Sequence, residues 1–524
     1  MAVSGKLCWG TSVSIFRANA LAFALLGLLS VDLLQGPALA GAEVLRARAT
    51  VDRFYQWRNG ALAWTGLANV AAWRDLLAAI RMAGLHGLDP ADYRLAELAV
   101  ATPAVGDAQL DRIATDAYLT LAAHLLSGRL DPVSIEPTWT AAPRERDLAA
   151  YLESALANGA IAESLDALAP TQRGYLDLQR ALARYRVIAD RGGWPSIDGG
   201  DTMRVGERGP RVAQLRRRLA ATGDATDAVA DPGLFDAALA EAVRRFQKRT
   251  NLEPDGTVGP RTLAQLNTGV EDRIAQIRAN MERWRWLPDD LGRRHIRVNI
   301  ADFRLEAHAN GQVERSHEII VGRLYRKTPI FTGTMTYLVF NPWWETPANL
   351  AVKDKLPVFR RDPKSVEALG FQVIDRNGEL VDANSIDWTA VPAGEFPYRI
   401  RQAPGPNNAL GDVKFMFPNR HNVYLHDTPT RGLFARTRRD FSSGCVRVRD
   451  ALDLAAWVLS ETPGWEPARI QEVAAGDAET QVRLKHPIPV HILYWTVVSD
   501  GADTVRFVDD IYDRDEKLIA ALDR

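Results

Sequence analysis

The 524-residue sequence predicts a multidomain α+β protein: a helical scaffold, a small three-helix unit, and a mainly β domain carrying an insertion. Three observations predict it. Residues 44 to about 195 are rich in Ala and Leu, and apolar positions around 77–82 and 119–126 recur at helical spacing. Residues 204–267 hold three short amphipathic stretches punctuated by Gly and Pro. From about 272, β-branched and aromatic residues alternate with period two, as in Ile296-Arg297-Val298-Asn299-Ile300. At 47% hydrophobic and 25% charged the chain is neither disordered, collagenous nor a coiled-coil rod. A net charge of -1 leaves no basic field for nonspecific nucleic-acid binding.

The helical scaffold is expected over 41–200. Turn signals interrupt it at Gly87-Leu88-Asp89-Pro90 and Gly128-Arg129-Leu130-Asp131-Pro132. It shows no catalytic spacing, and Phe54, Tyr55, Trp57 and Trp64 read as core. A Gly/Pro linker near 191–200 leads to a unit at 201–270. There Gly209-Pro210 opens a helix with Val212, Leu215 and Leu219. Asp231-Pro232-Gly233 leads to a second helix with Leu239, Val243 and Phe246. The turn Asp255 to Pro260 opens a third with Thr262, Leu263 and Leu266. The β domain is expected over 271–497, with further strands near 318–321, 337–340, 423–425 and 490–497. Residues 351–395 are charged and turn-rich, with Lys353, Asp354, Lys355 and Arg360-Arg361-Asp362-Pro363, and read as an insertion capping a site. The tail 498–524 carries Asp509, Asp510, Asp513 and Asp515 and is expected on the surface.

The N-terminus has the layout of a secretory signal peptide over 1–40. Lys6 and Arg17 precede an apolar run, Ala20 to Val31, that Asp32 ends, and Ala38-Leu39-Ala40 then gives the small residues of a cleavage site before Gly41. A retained anchor is the competing reading. The run is shorter than the ~20 residues a spanning helix needs, so no membrane span is expected after cleavage. Cys8 leaves with this segment, and Cys445 is then the only cysteine. That excludes an internal disulfide and a multi-cysteine metal site. A lone thiol in an exported protein is a buried small residue or a reactive group.

The surroundings favour the reactive group. Cys445 sits in Ser442-Ser443-Gly444-Cys445-Val446-Arg447-Val448-Arg449. Val448, Ala451, Leu452, Ala455 and Leu459 then predict a helix starting within a few residues. Its dipole, with Arg447 or Arg449, would lower the thiol pKa. Gly444 allows close approach of a substrate, and the N–H groups of Ser443, Gly444 and Cys445 could form an oxyanion hole. A nucleophilic thiol needs a base. His426, nineteen residues earlier at the end of a predicted strand, can reach it. His421, at the start of that strand, is the competing candidate.

Two sets of residues resemble known families. Gly209, Val212, Leu215, Leu219, Phe235, Ala242, Val243, Phe246, Gln247, Asp255, Gly256, Gly259, Thr262 and Leu266 resemble the peptidoglycan-binding domain of bacterial wall enzymes. Tyr424-Leu425-His426-Asp427-Thr428-Pro429 with Ser442-Ser443-Gly444-Cys445-Val446-Arg447 resembles the active-site signature of L,D-transpeptidases. Val321-Gly322-Arg323, Thr328-Pro329, Asn341 to Pro347 and Pro404 to Gly411 agree with it. The resemblance is closest to the large periplasmic subfamily with scaffold, peptidoglycan-binding domain and capped catalytic domain. It departs from the common pattern at Ser443, where many members have His, and at Asp427, where many have Gly. His426 must then act alone.

The resemblance implies a peptidoglycan tetrapeptide stem as donor, with Cys445 as nucleophile and His426 as general acid and base. D-alanine leaves, and the side-chain amine of a second stem resolves the thioester to a 3–3 cross-link. Ser443, Gly444 and Tyr424 are the expected oxyanion and supporting groups. Arg447, Trp344 and Asp427 are the substrate-binding candidates, though Trp344, Tyr398 and Trp388 read equally as cap core. No metal or other cofactor is expected. Carbapenems are the expected inhibitors and the periplasm the expected site of action. A carboxypeptidase, a transferase tethering a protein lysine to the wall, and a noncatalytic wall-binding protein are the alternatives.

Overall fold

The computed structural model describes residues 49–103, 106–226, 228–501 and 505–524; the signal-like segment 1–40 and Cys8 lie outside the described residues. Contacts divide the chain into two units. One comprises the chain up to Ala83 with Asp89–Ala123 and Arg146–Ala167; the other comprises Gly84–Leu88, His124–Glu145 and Leu168–Arg524.

The first unit is helical, with helices at 49–57, Val70–Met82, Leu95–Val100, Leu148–Asn158 and Ile161–Asp166. A buried carboxylate organises its core. Asp111 accepts the backbone N–H groups of Ala63 (2.9 Å), Trp64 (2.7 Å) and Thr65 (2.7 Å), and the Tyr55 hydroxyl (2.5 Å). A buried charge is tolerated only with such a set of donors. Phe54, Tyr55 and Trp64 are core residues as expected, but Trp57 is 52% exposed, with the Arg53 guanidinium 5.3 Å from its ring centre. Helical spacing alone does not say on which side of a short terminal helix an aromatic ring ends.

In the second unit the three expected short helices are Pro210–Ala221, Ala237–Arg249 and Pro260–Asn267. Val212, Leu215, Leu219, Phe235, Leu239, Val243, Phe246 and Leu266 form their common core. Gln247 explains the Asp255-Gly256 turn. Its amide donates to Asp255 Oδ1 (2.8 Å) and Thr257 O (2.9 Å), and its carbonyl accepts Gly256 N–H (2.9 Å). This helical unit contacts the β domain through Thr437, which donates to Glu253 (2.7 Å), and through Arg261–Asp509 (3.1 Å).

The β domain contains β1 (Arg294–Asn299), β2 (Arg304–Ala309), β3 (Gln312–Gly322), β4 (Phe331–Phe340), β5 (Trp344–Glu345), β6 (Phe371–Ile374), β7 (Leu380–Val381) and β8 (Arg399–Gln402). They are followed by β9 (Val413–Met416), β10 (Leu425–His426), β11 (Asp440–Ser442), β12 (Val446–Val448) and β13 (Thr480–Leu493). Nine strands form one sheet in the order β11-β3-β12-β10-β9-β4-β13-β1-β2, and β2 also pairs with β3, so the sheet closes on itself. The strand expected at 423–425 is confined to Leu425–His426, because Asn422 takes a positive φ of 52° just before it.

Two regions differ from expectation. The insertion is a folded subdomain with its own sheet, β5-β8-β6-β7, over a core of Trp344, Leu356, Phe359, Phe371, Trp388 and Ile400. Its apolar residues are dispersed among charged ones, which hid that core. The acidic tail is not surface structure. Tyr512 and Leu518 are fully buried, and Asp510 accepts the Tyr494 hydroxyl (2.5 Å).

Three buried histidines on β1, β2 and β13 gather at one place. The rings of His295 and His308 stack 4.7 Å apart, and His491 meets His295 edge-on at 5.8 Å. Burial lowers all three from the ordinary 6.5, His295 to about 4. The unfolded chain therefore binds protons between about pH 6.5 and 4 that the folded chain refuses, so stability is lost as pH falls through that window. Denaturant titrations at pH 7.5 and 5 should show this loss, and a His295→Gln/His308→Gln variant should show a shallower one. An equal pH slope in both proteins would remove the cluster as its source.

Candidate active site

The site is built where the chain crosses the end of β3. β11 pairs parallel to one edge of β3 (Ser442 opposite Gly322), and β12 pairs antiparallel to the other (Arg447 opposite Ile320). The turn Ser443-Gly444-Cys445 joins them across the strand end. Gly444 has a φ of 123°, a conformation that favours glycine. Gly322 has no room for a side chain, since a Cβ there would lie 2.1 Å from Arg326 O.

Thr328 clamps this turn. It is fully buried; its hydroxyl donates to Gly444 O (2.9 Å) and accepts Gly322 N–H (2.9 Å). Its backbone N–H donates to the Tyr512 hydroxyl (3.1 Å), which itself donates to Gly322 O. The tail thus closes a hydrogen-bonded bracket behind the thiol. On the other side Arg326 ties the turn to the cap, donating to Ser443 Oγ (2.9 Å) and to both oxygens of Asp354 (2.6 and 3.0 Å).

β10 and β12 run parallel, with Leu425 opposite Val446 and His426 opposite Arg447. Because side chains alternate along a strand, Tyr424 and His426 share one face with Cys445 and Arg447. The Tyr424 backbone N–H and hydroxyl both face the sulfur, and Asn422 O lies 3.8 Å from it. His426 Nδ1–H donates to Asp427 O (2.5 Å), which fixes the tautomer and leaves Nε2 as the basic atom. Arg447 Nη1 donates to Thr430 Oγ1 (3.1 Å).

Burial pushes the Cys445 thiol up, against the lowering effect of Tyr424 and Arg447. Burial, then Arg447 and Lys414, push His426 down to about 3. The resting pair is therefore neutral. This corrects the expected helix-activated thiol: Val446–Val448 is a strand, and the helix Ala451–Leu459 begins only after it. Arg449 is drawn away to Glu318 (2.5 Å).

Other candidates lie as follows. Gly444 N–H is committed to Ser442 Oγ (3.0 Å), so it does not point to a free oxyanion position, and Ser443 Oγ is engaged by Arg326. Trp344 belongs to the cap core, against which Tyr424 packs. The Asp427 carboxylate accepts Asp412 N–H (3.0 Å) and faces Arg431 (3.5 Å). His421 packs its ring on Phe331 at 5.0 Å. Among the described residues, no group of His, Cys, Asp and Glu is arranged to hold a metal ion, and no helix is long and apolar enough to cross a membrane. Sequence reasoning missed Arg326, 117 residues from the Ser443 it holds, and Tyr512, 184 and 190 residues from the Thr328 and Gly322 it braces, separations no local pattern signals.

Residues 293–474 match the L,D-transpeptidase catalytic domain, 49–182 the "Scaffold domain" and 208–266 the "Putative peptidoglycan binding domain". The β domain is thus a catalytic domain of the transferase class. The chain therefore carries an L,D-transpeptidase catalytic domain, with a scaffold domain and a putative peptidoglycan-binding domain beside it. A "Putative L,D-transpeptidase" of Haemophilus influenzae is 36% identical over 254 residues, 48% of this chain and 51% of that protein, so the chain spans about half the length of the curated relative it matches. Among solved structures, the L,D-transpeptidase (residues 123-326) of Xylanimonas cellulosilytica is 16% identical, with 56% of this chain and 99% of that chain covered and a TM-score of 0.19. That of Stackebrandtia nassauensis is 13% identical, with 57% and 96% covered and a TM-score of 0.21. Likenesses of that size add nothing to the domain assignment.

Two predictions follow from the geometry. Thr328→Val leaves Gly444 O and Gly322 N–H buried without a partner and should cost about 1–3 kcal/mol in denaturant unfolding; Tyr512→Phe should cost a similar amount. An unchanged midpoint for both would show that the bracket is not stabilising. Because the thiol is raised above its ordinary 9.0, iodoacetamide should alkylate Cys445 more slowly at pH 7 than it does free cysteine, with the rate still climbing beyond pH 9. A plateau below pH 7 would contradict the neutral resting pair.

Proposed function

We propose that the protein is a periplasmic peptidoglycan L,D-transpeptidase that forms 3–3 cross-links through a Cys445 thioester. The observation that carries this reading is the shared face of β10 and β12, which presents Tyr424, His426, Cys445 and Arg447 together within the matched catalytic domain. The signal-like 1–40 segment and the peptidoglycan-binding domain support the location and the polymer.

In this mechanism His426 Nε2 takes the thiol proton as Sγ attacks the carbonyl of the third stem residue. The tetrahedral oxyanion is met by Tyr424 and the N–H groups of the turn that remain free. The C–N bond breaks, the proton passes from His426 to the departing amine, and D-alanine leaves. The acceptor stem's side-chain amine then attacks the thioester, yields its proton to His426, and forms the new amide. The sulfur recovers that proton. His426 is a weak base while buried beside Arg447, so it acts only when a donor is aligned. The ring is held by its Nδ1–H bond to Asp427 O, ready for transfer at Nε2.

Incubating the protein from residue 41 onward with disaccharide-tetrapeptide, beside Cys445→Ala and His426→Gln, tests the reading. Dimers lacking one D-alanine are expected in the mass spectrum, absent with Cys445→Ala and reduced at least ~100-fold with His426→Gln. A carbapenem should add its mass to the intact protein at Cys445. Tripeptide monomers alone would assign a carboxypeptidase. Absence of both products and of the adduct would leave a wall-binding protein.

A further inference from the structure

Most arginines around the turn have a carboxylate. Arg449 pairs with Glu318 (2.5 Å), Arg326 with Asp354 (2.6 Å), Arg438 with Asp440 (2.8 Å) and Arg431 with Asp427 (3.5 Å). Three cations of the same region do not. Among the described residues, Arg323, Arg447 and Lys355 form no ion pair.

They approach one another from three elements. Arg323 follows β3, and its backbone N–H donates to Ser442 O (3.1 Å), which places it at the start of the catalytic turn. Arg447 lies on β12, two residues beyond the thiol, with its Nε buried and unpartnered. Lys355 enters from the cap. Its ammonium lies 5.2 Å from the Trp344 ring centre and 5.1 Å from that of Phe371. Burial and then repulsion from Arg323 disfavour the charge on Arg447; burial and repulsion from Arg447 disfavour that on Lys355, against the attraction of neighbouring Asp354. The acid beside Lys355, Asp354, is already taken by Arg326. Half-buried like charges without a counter-ion are unfavourable, and an anion that enters relieves them.

We infer that Arg323, Arg447 and Lys355 form a carboxylate-binding subsite that takes the free C-terminal carboxylate of the donor peptide. This rests on the proposed acyl transfer at Cys445. In a tetrapeptide donor the carboxylate nearest the scissile carbonyl belongs to the leaving residue itself, separated from that carbonyl only by the amide nitrogen and one Cα. A cationic cluster beside the sulfur therefore measures the distance from the scissile bond to the chain end. It selects a donor ending one residue after the cleaved amide, and the cap supplies one of the three charges.

The test has one arm that needs no substrate. Alkylation of Cys445 in the full protein is followed with iodoacetate, an anion, and iodoacetamide, its neutral counterpart. The iodoacetate/iodoacetamide rate ratio should fall about tenfold in Arg323→Gln/Lys355→Gln, should be retained in Arg323→Lys, and should fall with added salt in the native sequence. An unchanged ratio in the double variant would overturn the subsite, whatever the enzyme turns over. In the second arm, amidating the C-terminus of the tetrapeptide should lower kcat/KM about tenfold for the native protein and little further for the double variant. Equal losses in both proteins would also overturn it. A ratio that falls while no stem peptide is processed would keep the anion site and reject the transpeptidase reading.

Discussion

The catalytic arrangement depends on the pairing of β10 with β12, which is parallel and registers only two residue pairs. Parallel strands cannot be joined by a tight turn, and here the chain between them loops out and returns around the end of β3. Register is what matters. A slip of one residue would turn His426 or Cys445 to the opposite face and dissolve the site without changing its sequence. So short a ladder cannot hold register alone. The Thr328 bracket, the β3 pairings on both sides of the turn, and the Arg326 tie to Ser443 hold it from behind, from the flanks and from the cap.

The same arrangement decides how reactive the thiol is at rest. Burial disfavours both a thiolate and an imidazolium, and nearby cations oppose the imidazolium further. The sulfur is thus protected by its surroundings rather than activated by them, which also slows its adventitious oxidation. Chemistry waits for a ligand that changes the local field and displaces water.

Much of this was legible in the sequence. The three-helix unit could be read because Gly and Pro turns bracket each apolar stripe; that Gln247 satisfies the Asp255-Gly256 turn emerged only from the structure. A lone thiol in a run of small residues and a strand-end imidazole marked Cys445 and His426 as the candidates, and the register of β10 on β12 puts them on one face. What failed was settled by the fold. Val448 fits the stripe of the following helix as well as a strand, and pairing with β3 decided between them. The Gly444 N–H was claimed by a neighbouring hydroxyl, and the tail's acids, which read as surface, include Asp510 and Asp515, held inside by Tyr494 and Arg283. The strand and the tail were fixed by partners far away in the chain, and the Gly444 N–H by the fold of its own turn.

The cap leaves the closed sheet after Phe340 and returns at Val413, and these two residues are direct partners across β4 and β9. Topologically the whole subdomain, aromatic core and all, is the loop of a single hairpin. Closing a longer loop costs only logarithmically more entropy, so the sheet bears almost no burden from what is spliced there. A barrel with a tight turn at this corner and a barrel with a folded lid are the same scaffold. The corner is therefore a graft point, where one catalytic ring can be fitted with different lids, and so with different preferences, without being rebuilt.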